Sequence, residues 1–330
     1  MESWKINHLG KINLTYEELS AEGKVKVKVS KALLDNTDLN LLKGEGNRYP
    51  ITPSHIAIGN VSEEYPELGL KFGEKVLLSP YLASGVSHDR KVYIAPNVDV
   101  MGIDCDGFLK DFVAINRENV YILPDSVSET EALFVENIAL GVKIFSDLDI
   151  EKGETVVIIG GSSLGILLCQ LAIYYQTIPI LIDTDDERLS IATDMGVYYT
   201  VNPREADVLG QILSFTSGRM ADFVVYDPNT DTPLQPAMQY CRKQGKIAIV
   251  GHKKTKATVE LSKLLANQLQ LIGINNGYDE IATAINLLAT KSIDPSFIQA
   301  KTIEFEDVGE AIEEYVIYPN ADTNVIVNVK

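Results

Sequence analysis

Between Thr155 and Asp183 the chain reads TVVIIGGSSLGILLCQLAIYYQTIPILID, with glycines and a closing carboxylate spaced for phosphate and ribose chemistry. Gly160, Gly161 and Gly165 permit a tight turn and a close approach of both a pyrophosphate and the following helix. Ser162 stands where a G-x-G-x-x-G turn has its second glycine, and Gly161 beside it offers the same freedom. The helix that follows presents unpaired N–H groups and partial positive charge to the phosphates. Asp183 comes roughly 20 residues later, the spacing at which a carboxylate accepts hydrogen bonds from ribose hydroxyls and repels a 2′-phosphate. The pattern favours NAD over NADP and points to a hydride-transferring enzyme. Asp183 as a cap of a helix over Thr184–Met195 is compatible with that role. Arg188 either flanks the adenosine or is an exposed helix arginine, and Gly251, ending a later strand, is expected to border the nicotinamide.

A parallel sheet covered on both faces must hold such a turn. From Gly141 to about Ala289 apolar strands alternate with helical segments, as that architecture requires. The strands are expected at Thr155–Gly160, Pro179–Asp183, Tyr198–Val201, Ala221–Asp227, Lys246–Gly251 and Leu269–Ile274, with amphipathic helices at Asp185–Met195 and Pro233–Arg242 among them. Residues 1–140 are instead β-rich and punctuated by prolines, with strands at Lys24–Ser30, Lys75–Leu78 and Phe112–Ile115. Asp35–Leu42 reads as a short helix capped by Asp35 or Thr37. The segment from Ser292 onward holds a strand, a helix around Val308–Val316 and a strand at Asn324–Val329, and periodicity does not assign it to either part.

The 330 residues exceed one ordinary core, so two domains are expected. A net charge of −17, with no basic patch, argues against nucleic acid and anionic membranes as partners. Cys105, Cys169 and Cys241 are far apart and form no C-x-x-C pair, which suits a reducing cytoplasm and neither a disulfide framework nor a cysteine-rich zinc site. The first residues lack the apolar core of a signal peptide, and no run of about 18 apolar residues occurs. The apolar strand Leu269–Ile274 suits pairing with a second copy, giving a homodimer or homotetramer.

Several segments keep a familiar order: Asp106-Gly107-Phe108 leading into Phe112-Val113, Leu123-Pro124-Asp125, Val135-Glu136, Lys152-Gly153, Asp183 with Glu187-Arg188-Leu189, and Gly245-Lys246 before Val250-Gly251. Together they resemble the medium-chain dehydrogenase/reductase superfamily, and more narrowly its zinc-dependent alcohol and polyol dehydrogenases. The resemblance implies an α/β chain. A GroES-like β-rich catalytic domain is expected at 1–140 and 290–330, and a Rossmann doubly wound parallel sheet binding NAD at 141–289. It also implies a catalytic zinc held by Asp35, His55 and Glu136, in segments Asp35-Asn36-Thr37-Asp38, Ser54-His55-Ile56 and Val135-Glu136-Asn137. Asp35 replaces the family's cysteine, and Ile56 replaces a glutamate. Zinc accepts carboxylate oxygen as well as thiolate, and the harder donor set also suits Mn²⁺ or Fe²⁺. Asp38 is expected to orient His55, and Thr37 to hold the substrate hydroxyl and start a proton path. Taken singly, Asp35 is equally readable as a helix cap, His55 as a loop histidine and Glu136 as a solvated first-turn residue. The stretch Pro80–Asp106 holds only Cys105, so the family's structural zinc is expected to be absent.

The implied reaction interconverts a secondary alcohol, a polyol or sugar alcohol in free or phosphorylated form, and a ketone. The stretch 106–113 is similar to that of polyol-phosphate dehydrogenases of the superfamily. Two alternatives stand beside it: a metal-free quinone- or enoyl-type reductase of the same superfamily, and a non-catalytic NAD-binding protein.

Overall fold

The computed structural model describes residues 1–44, 48–84, 97–230, 232–251, 256–317 and 324–329. The chain divides into two compact units, Met1–Val135 with Gln299–Lys330, and Glu136–Ile298. The sequence expectation drew these borders at 140/141 and 289/290; the contacts draw them at 135/136 and 298/299.

The antiparallel strands β1 (Glu2–Ile6) and β2 (Ile12–Tyr16) open the first unit. In β3 (Val25–Leu34), Val25, Val27 and Val29 are buried while Lys28 faces water, the outcome of a two-residue period. Helix α1 (Asn36–Leu42) follows at once, and then β4 (Ile56–Val61), β5 (Lys75–Leu78), β6 (Tyr81–Ser84), β7 (Asn97–Val100), β8 (Phe112–Ile115), β9 (Val120–Ile122) and the short α2 (Glu129–Ala132).

The second unit begins along α3 (Val135–Leu148) and alternates strand with helix: β10 (Thr155–Ile159), α4 (Ser163–Tyr174), β11 (Ile178–Ile182), α5 (Asp186–Asp194), β12 (Tyr199–Val201), α6 (Val208–Phe215), β13 (Ala221–Tyr226), α7 (Leu234–Ala237), β14 (Cys241–Val250), α8 (Leu261–Asn267), β15 (Gln270–Ile274) and α9 (Ile281–Ala289). All five residues of β10 are buried, as befits a central strand covered on both faces. The order in the sheet is β12-β11-β10-β13-β14-β15, every pairing parallel. It reverses direction between β10 and β13, which opens a crevice at the carboxyl ends of these strands.

The chain then returns to the first unit as β16 (Ala300–Glu304), α10 (Val308–Ile317) and β17 (Asn324–Asn328). Its sheet runs β16-β17-β3-β4-β5-β9, with β8 also on β3. Val27, Ile51, Phe108 and Val327 are wholly buried in one apolar cluster beneath it.

The expected helix Pro233–Arg242 is shorter than its apolar period suggested. It stops at Ala237, tightens into a 3₁₀ turn over Met238–Tyr240, and Cys241 is already paired with Ala221 in the sheet. Residues 85–96, within the stretch expected to lack a structural zinc, lie outside the described residues. No helix among the described residues is long and apolar enough to cross a membrane.

Candidate metal centre and nucleotide turn

In the first unit the centre is built at the start of α1. Asp35 is its N-cap: Oδ1 accepts the Thr37 N–H at 2.7 Å. Asp38 answers three residues on, its Oδ2 accepting the Asp35 N–H at 3.0 Å, so the two close a reciprocal capping box. The other oxygen of each aspartate looks elsewhere. Asp38 Oδ1 accepts the Ser54 N–H at 2.7 Å, and Asp35 Oδ2 lies 3.8 Å from His55 Nε2. One donor atom from each of Asp35, Asp38 and His55 falls within 4.8 Å of the others, and no other such acid and imidazole group forms among the described residues.

Backbone geometry aims the histidine. Ser54 takes a φ of 69°, a left-handed conformation that a residue with a Cβ adopts at a cost. It is held there from several sides: its N–H by Asp38, its carbonyl by the Phe108 N–H at 2.8 Å, and its Oγ by donation to the Ile56 carbonyl at 2.8 Å. The Asp106-Gly107-Phe108 segment zips onto this loop. Asp106 Oδ1 accepts the Thr52 N–H at 2.9 Å, and the Gly107 N–H donates to the Thr52 carbonyl at 2.7 Å. His55 ends 4% exposed. An apolar recess lined by Ile6, Leu34, Leu39 and Leu42 borders both aspartates. Burial and the nearby Asp35 carboxylate push the Asp38 carboxyl up to about 7, against the pull of His55 and the two N–H groups.

These donors fit a divalent cation. A cation about 2.0–2.2 Å from carboxylate oxygen and imidazole nitrogen needs donors spread over distances of this order. Asp35 is a helix cap through one oxygen, and its other oxygen faces His55. Thr37 lies half-buried between the two aspartates in the first turn of α1. Glu136 belongs to the second unit, in the first turn of α3.

In the second unit β10 runs into Gly160, whose φ of 101° lies beyond ordinary L-residues. Ser162 is the N-cap residue of α4, and its carbonyl accepts the Ile166 N–H at 2.8 Å. A Cβ on Gly165 would stand 1.9 Å from the Gly160 carbonyl oxygen, so only glycine lets α4 come this close to the turn. Asp183 is 7% exposed and ties the turn to β11: Oδ2 accepts the Gly161 N–H at 2.5 Å and Oδ1 the Asp185 N–H at 2.8 Å. The cap of α5 is therefore Asp185, which accepts the Glu187 N–H at 2.9 Å, and not Asp183. Arg188 Nη1 sits 3.4 Å from Asp183 Oδ2. Gly251, with a φ of 101°, ends β14 beside Asp227. The glycine turn thus leads straight into the N-terminus of α4, with the Asp183 carboxylate bonded to its Gly161 N–H.

Sequence reasoning missed Ser54 and Thr230. A Cβ on Gly160 would meet Thr230 Cγ2 at 2.6 Å, which places this threonine over the turn. Neither residue carries a signal in the sequence. The Asp35–Asp38 box does carry one, an acid three residues after a cap.

The sequence model of the zinc-binding dehydrogenase family matches residues 163–290. An uncharacterized zinc-type alcohol dehydrogenase-like protein of Haemophilus influenzae is 25% identical over 96% of this chain and 94% of its own length. The sorbitol dehydrogenase of Bacillus subtilis is 24% identical over 82% of this chain and 77% of its own. The crystal structure of galactitol-1-phosphate dehydrogenase from Escherichia coli superposes with a TM-score of 0.88 at 22% identity, covering 99% of this chain and all of that one. The chain is thus similar along nearly its whole length to zinc-type alcohol and polyol dehydrogenases, and it shares its fold from end to end with a dehydrogenase of solved structure.

Proposed function

We propose that the protein is an oxidoreductase that interconverts a secondary alcohol and a ketone with NAD and a divalent cation, zinc by preference. The substrate class is a polyol or sugar alcohol, free or phosphorylated, in keeping with the sorbitol and galactitol 1-phosphate activities named for its relatives. The observation that carries the reading is the convergence of Asp35, Asp38 and His55 at the start of α1. When bound, the cation supplies Lewis acidity toward the alcohol oxygen and the nicotinamide supplies the hydride acceptor. Asp35 Oδ2 and His55 Nε2 hold the cation, and Asp38, through Ser54, fixes where the imidazole stands. Glu136 keeps the ligand role that the resemblance assigns. The Thr37 hydroxyl would hold the substrate hydroxyl and relay its proton toward solvent, giving up its own proton as it takes the alcohol's. Gly160, Gly161, Ser162 and Gly165 seat the pyrophosphate, Asp183 takes the ribose hydroxyls with Arg188 beside it, and Gly251 borders the nicotinamide.

Asp35→Ser separates the two tasks of that residue. Serine caps helices about as well as aspartate, so the melting temperature is expected to hold. The carboxylate facing His55 is lost, and with it the stoichiometric cation that mass spectrometry is expected to find in the purified wild-type protein. A variant that keeps its full metal content overturns Asp35 as a ligand, and a wild type fully active without metal ends the reading in favour of a metal-free reductase.

Self-association belongs to the same proposal. β15 is the last strand of its sheet among the described residues, and Leu271 and Ile272 on it are only partly covered. Light scattering is expected to return a multiple of the chain mass, and a monomer at micromolar concentration contradicts it.

A further inference from the structure

The peptide that joins Ser54 to His55 is packed against the backbone of a second stretch, 100–107, which lies outside the Asp35, Asp38 and His55 group. A Cβ on Gly102 would stand 2.6 Å from the Ser54 carbonyl carbon and oxygen and 2.8 Å from the His55 nitrogen. A Cβ on Gly107 would stand 2.2 Å from the same oxygen and 2.6 Å from the Pro53 carbonyl oxygen. Only glycine fits at either place, and Gly102 also takes a φ of 85°. The stretch is itself braced. Asp104 Oδ2 accepts the Val100 N–H at 3.1 Å, and the Gly102 N–H donates to the Cys105 carbonyl at 2.8 Å. Asp106 takes the Thr52 N–H on Oδ1, and on Oδ2 the Lys5 ammonium at 3.1 Å. Lys5 stands on β1 and pairs with Glu17 as well. We infer that Gly102, Gly107 and Asp106 are positioning residues, which together clamp the loop before His55 and aim its imidazole at the cation. The inference rests on the metal reading of Asp35 and His55.

Tolerance decides how much the clamp matters. Bonds to a metal hold within about 0.2 Å of their proper length. Ser54 is kept in its left-handed conformation, φ 69°, against the preference of any residue with a Cβ. The imidazole rides on the peptide that follows Ser54, so a turn about that residue moves Nε2 relative to Asp35 Oδ2, now 3.8 Å away. Backbone packed on the Ser54 carbonyl blocks such a turn toward Gly102 and Gly107. A Cβ at 2.2 Å must be relieved to 3.0 Å or more, a shift of 0.8 Å at the peptide that carries the ring. That is several times what metal bonds allow. Asp106 acts one step earlier, at Thr52. Half-burial pushes its carboxyl up, but the Thr52 N–H and the Lys5 ammonium more than offset this and hold it below the usual carboxylate range. It therefore stays ionised at neutral pH and keeps both partners.

The test uses the full chain, freed of metal by a chelator, and two readouts that need no substrate. One is zinc affinity by calorimetric titration. The other is the His55 ring resonance by NMR in the metal-free protein, assigned among the four histidines with His55→Ala. Gly107→Ala and Asp106→Ala are each expected to lower zinc affinity about tenfold, the low end for groups that orient a ligand, and to move the ring resonance. Asp106→Asn keeps an oxygen for the Thr52 N–H and is expected to recover most of that loss. Gly59→Ala is the control for plain destabilisation. Its Cβ would meet the Lys28 carbonyl oxygen at 2.3 Å, a backbone overlap on β4 that leaves the Ser54–His55 peptide untouched. It is expected to lower the melting temperature and to leave zinc affinity and the ring resonance in place. Asp106→Ala adds no atom and carries the test if Gly107→Ala fails to fold. A folded Gly107→Ala or Asp106→Ala with wild-type affinity and an unmoved ring overturns the clamp, as does an equal loss of affinity in Gly59→Ala. A wild type that takes up no zinc overturns the metal reading beneath, and tight zinc binding that none of these variants weakens overturns the clamp alone.

Discussion

His55→Ala is expected to empty the metal centre. Calorimetric titration of zinc into the chelator-treated variant is expected to show affinity at least about 100-fold below wild type, because even partners that only orient a ligand are worth about 10–100-fold. The argument is one of donors. His55 contributes the imidazole of the only acid and imidazole group found among the described residues. Without it two carboxylates remain, both tied to backbone N–H groups, and one of them is held partly protonated near neutrality by its burial. Alcohol oxidation should fall in step with the bound metal. NADH binding should not, since the glycine turn and Asp183 belong to the other unit. A variant with wild-type zinc affinity, or one that loses NADH binding together with the metal, contradicts the assignment.

Gly165→Val carries the second largest effect, and it acts on stability. Its Cβ would overlap the backbone of Gly160, 1.9 Å from the oxygen and 2.9 Å from the carbon, and neither atom can swing aside. Helix α4 must back away from β10. Overpacking of this kind costs roughly 1–3 kcal/mol, with the upper end expected where backbone is hit. At about 2–4 °C per kcal/mol for a unit of this size, the melting temperature should drop by up to roughly 10 °C. NADH binding should fail with it, because the N–H groups that would meet the pyrophosphate move with the helix. Gly161→Ala is the contrast. Its Cβ would meet Arg188 Cβ at 3.1 Å and Asp183 Oδ2 at 3.3 Å, side-chain atoms that can yield by a few tenths of an ångström. A scan showing equal melting for the two variants contradicts the described packing of helix on turn.

The second unit was legible in the sequence because its signals are local. β10 is apolar at four of five positions and stops at a glycine, and Asp183 closes β11 at the spacing that the turn predicts. The short α7 was misjudged for a reason that is not local. Cys241 is claimed by its pairing with Ala221, and that bond between distant residues overrides a helical period. The cap at Asp35 was legible for the same local reason as the turn. The aim of His55 was not, since it depends on Ser54 in a left-handed conformation that serine seldom takes, and on Asp38 and Phe108 reaching it from distant parts of the chain. The final segment gave strands and a helix from its own pattern. Its place in the first unit was implied by the resemblance and not by periodicity, because it depends on β17 lying against β3, a partner no period can name.

That late pairing has a consequence for synthesis on the ribosome. Leu34 is made well before its neighbour Val325, so β3 waits roughly 15–60 s for β17 at about 5–20 residues per second. The Glu136–Ile298 unit is continuous and complete before then. The part translated in the middle is therefore ready to fold first, and the part translated at the beginning matures last, with the exposed flank of β3 in need of shelter until the tail emerges.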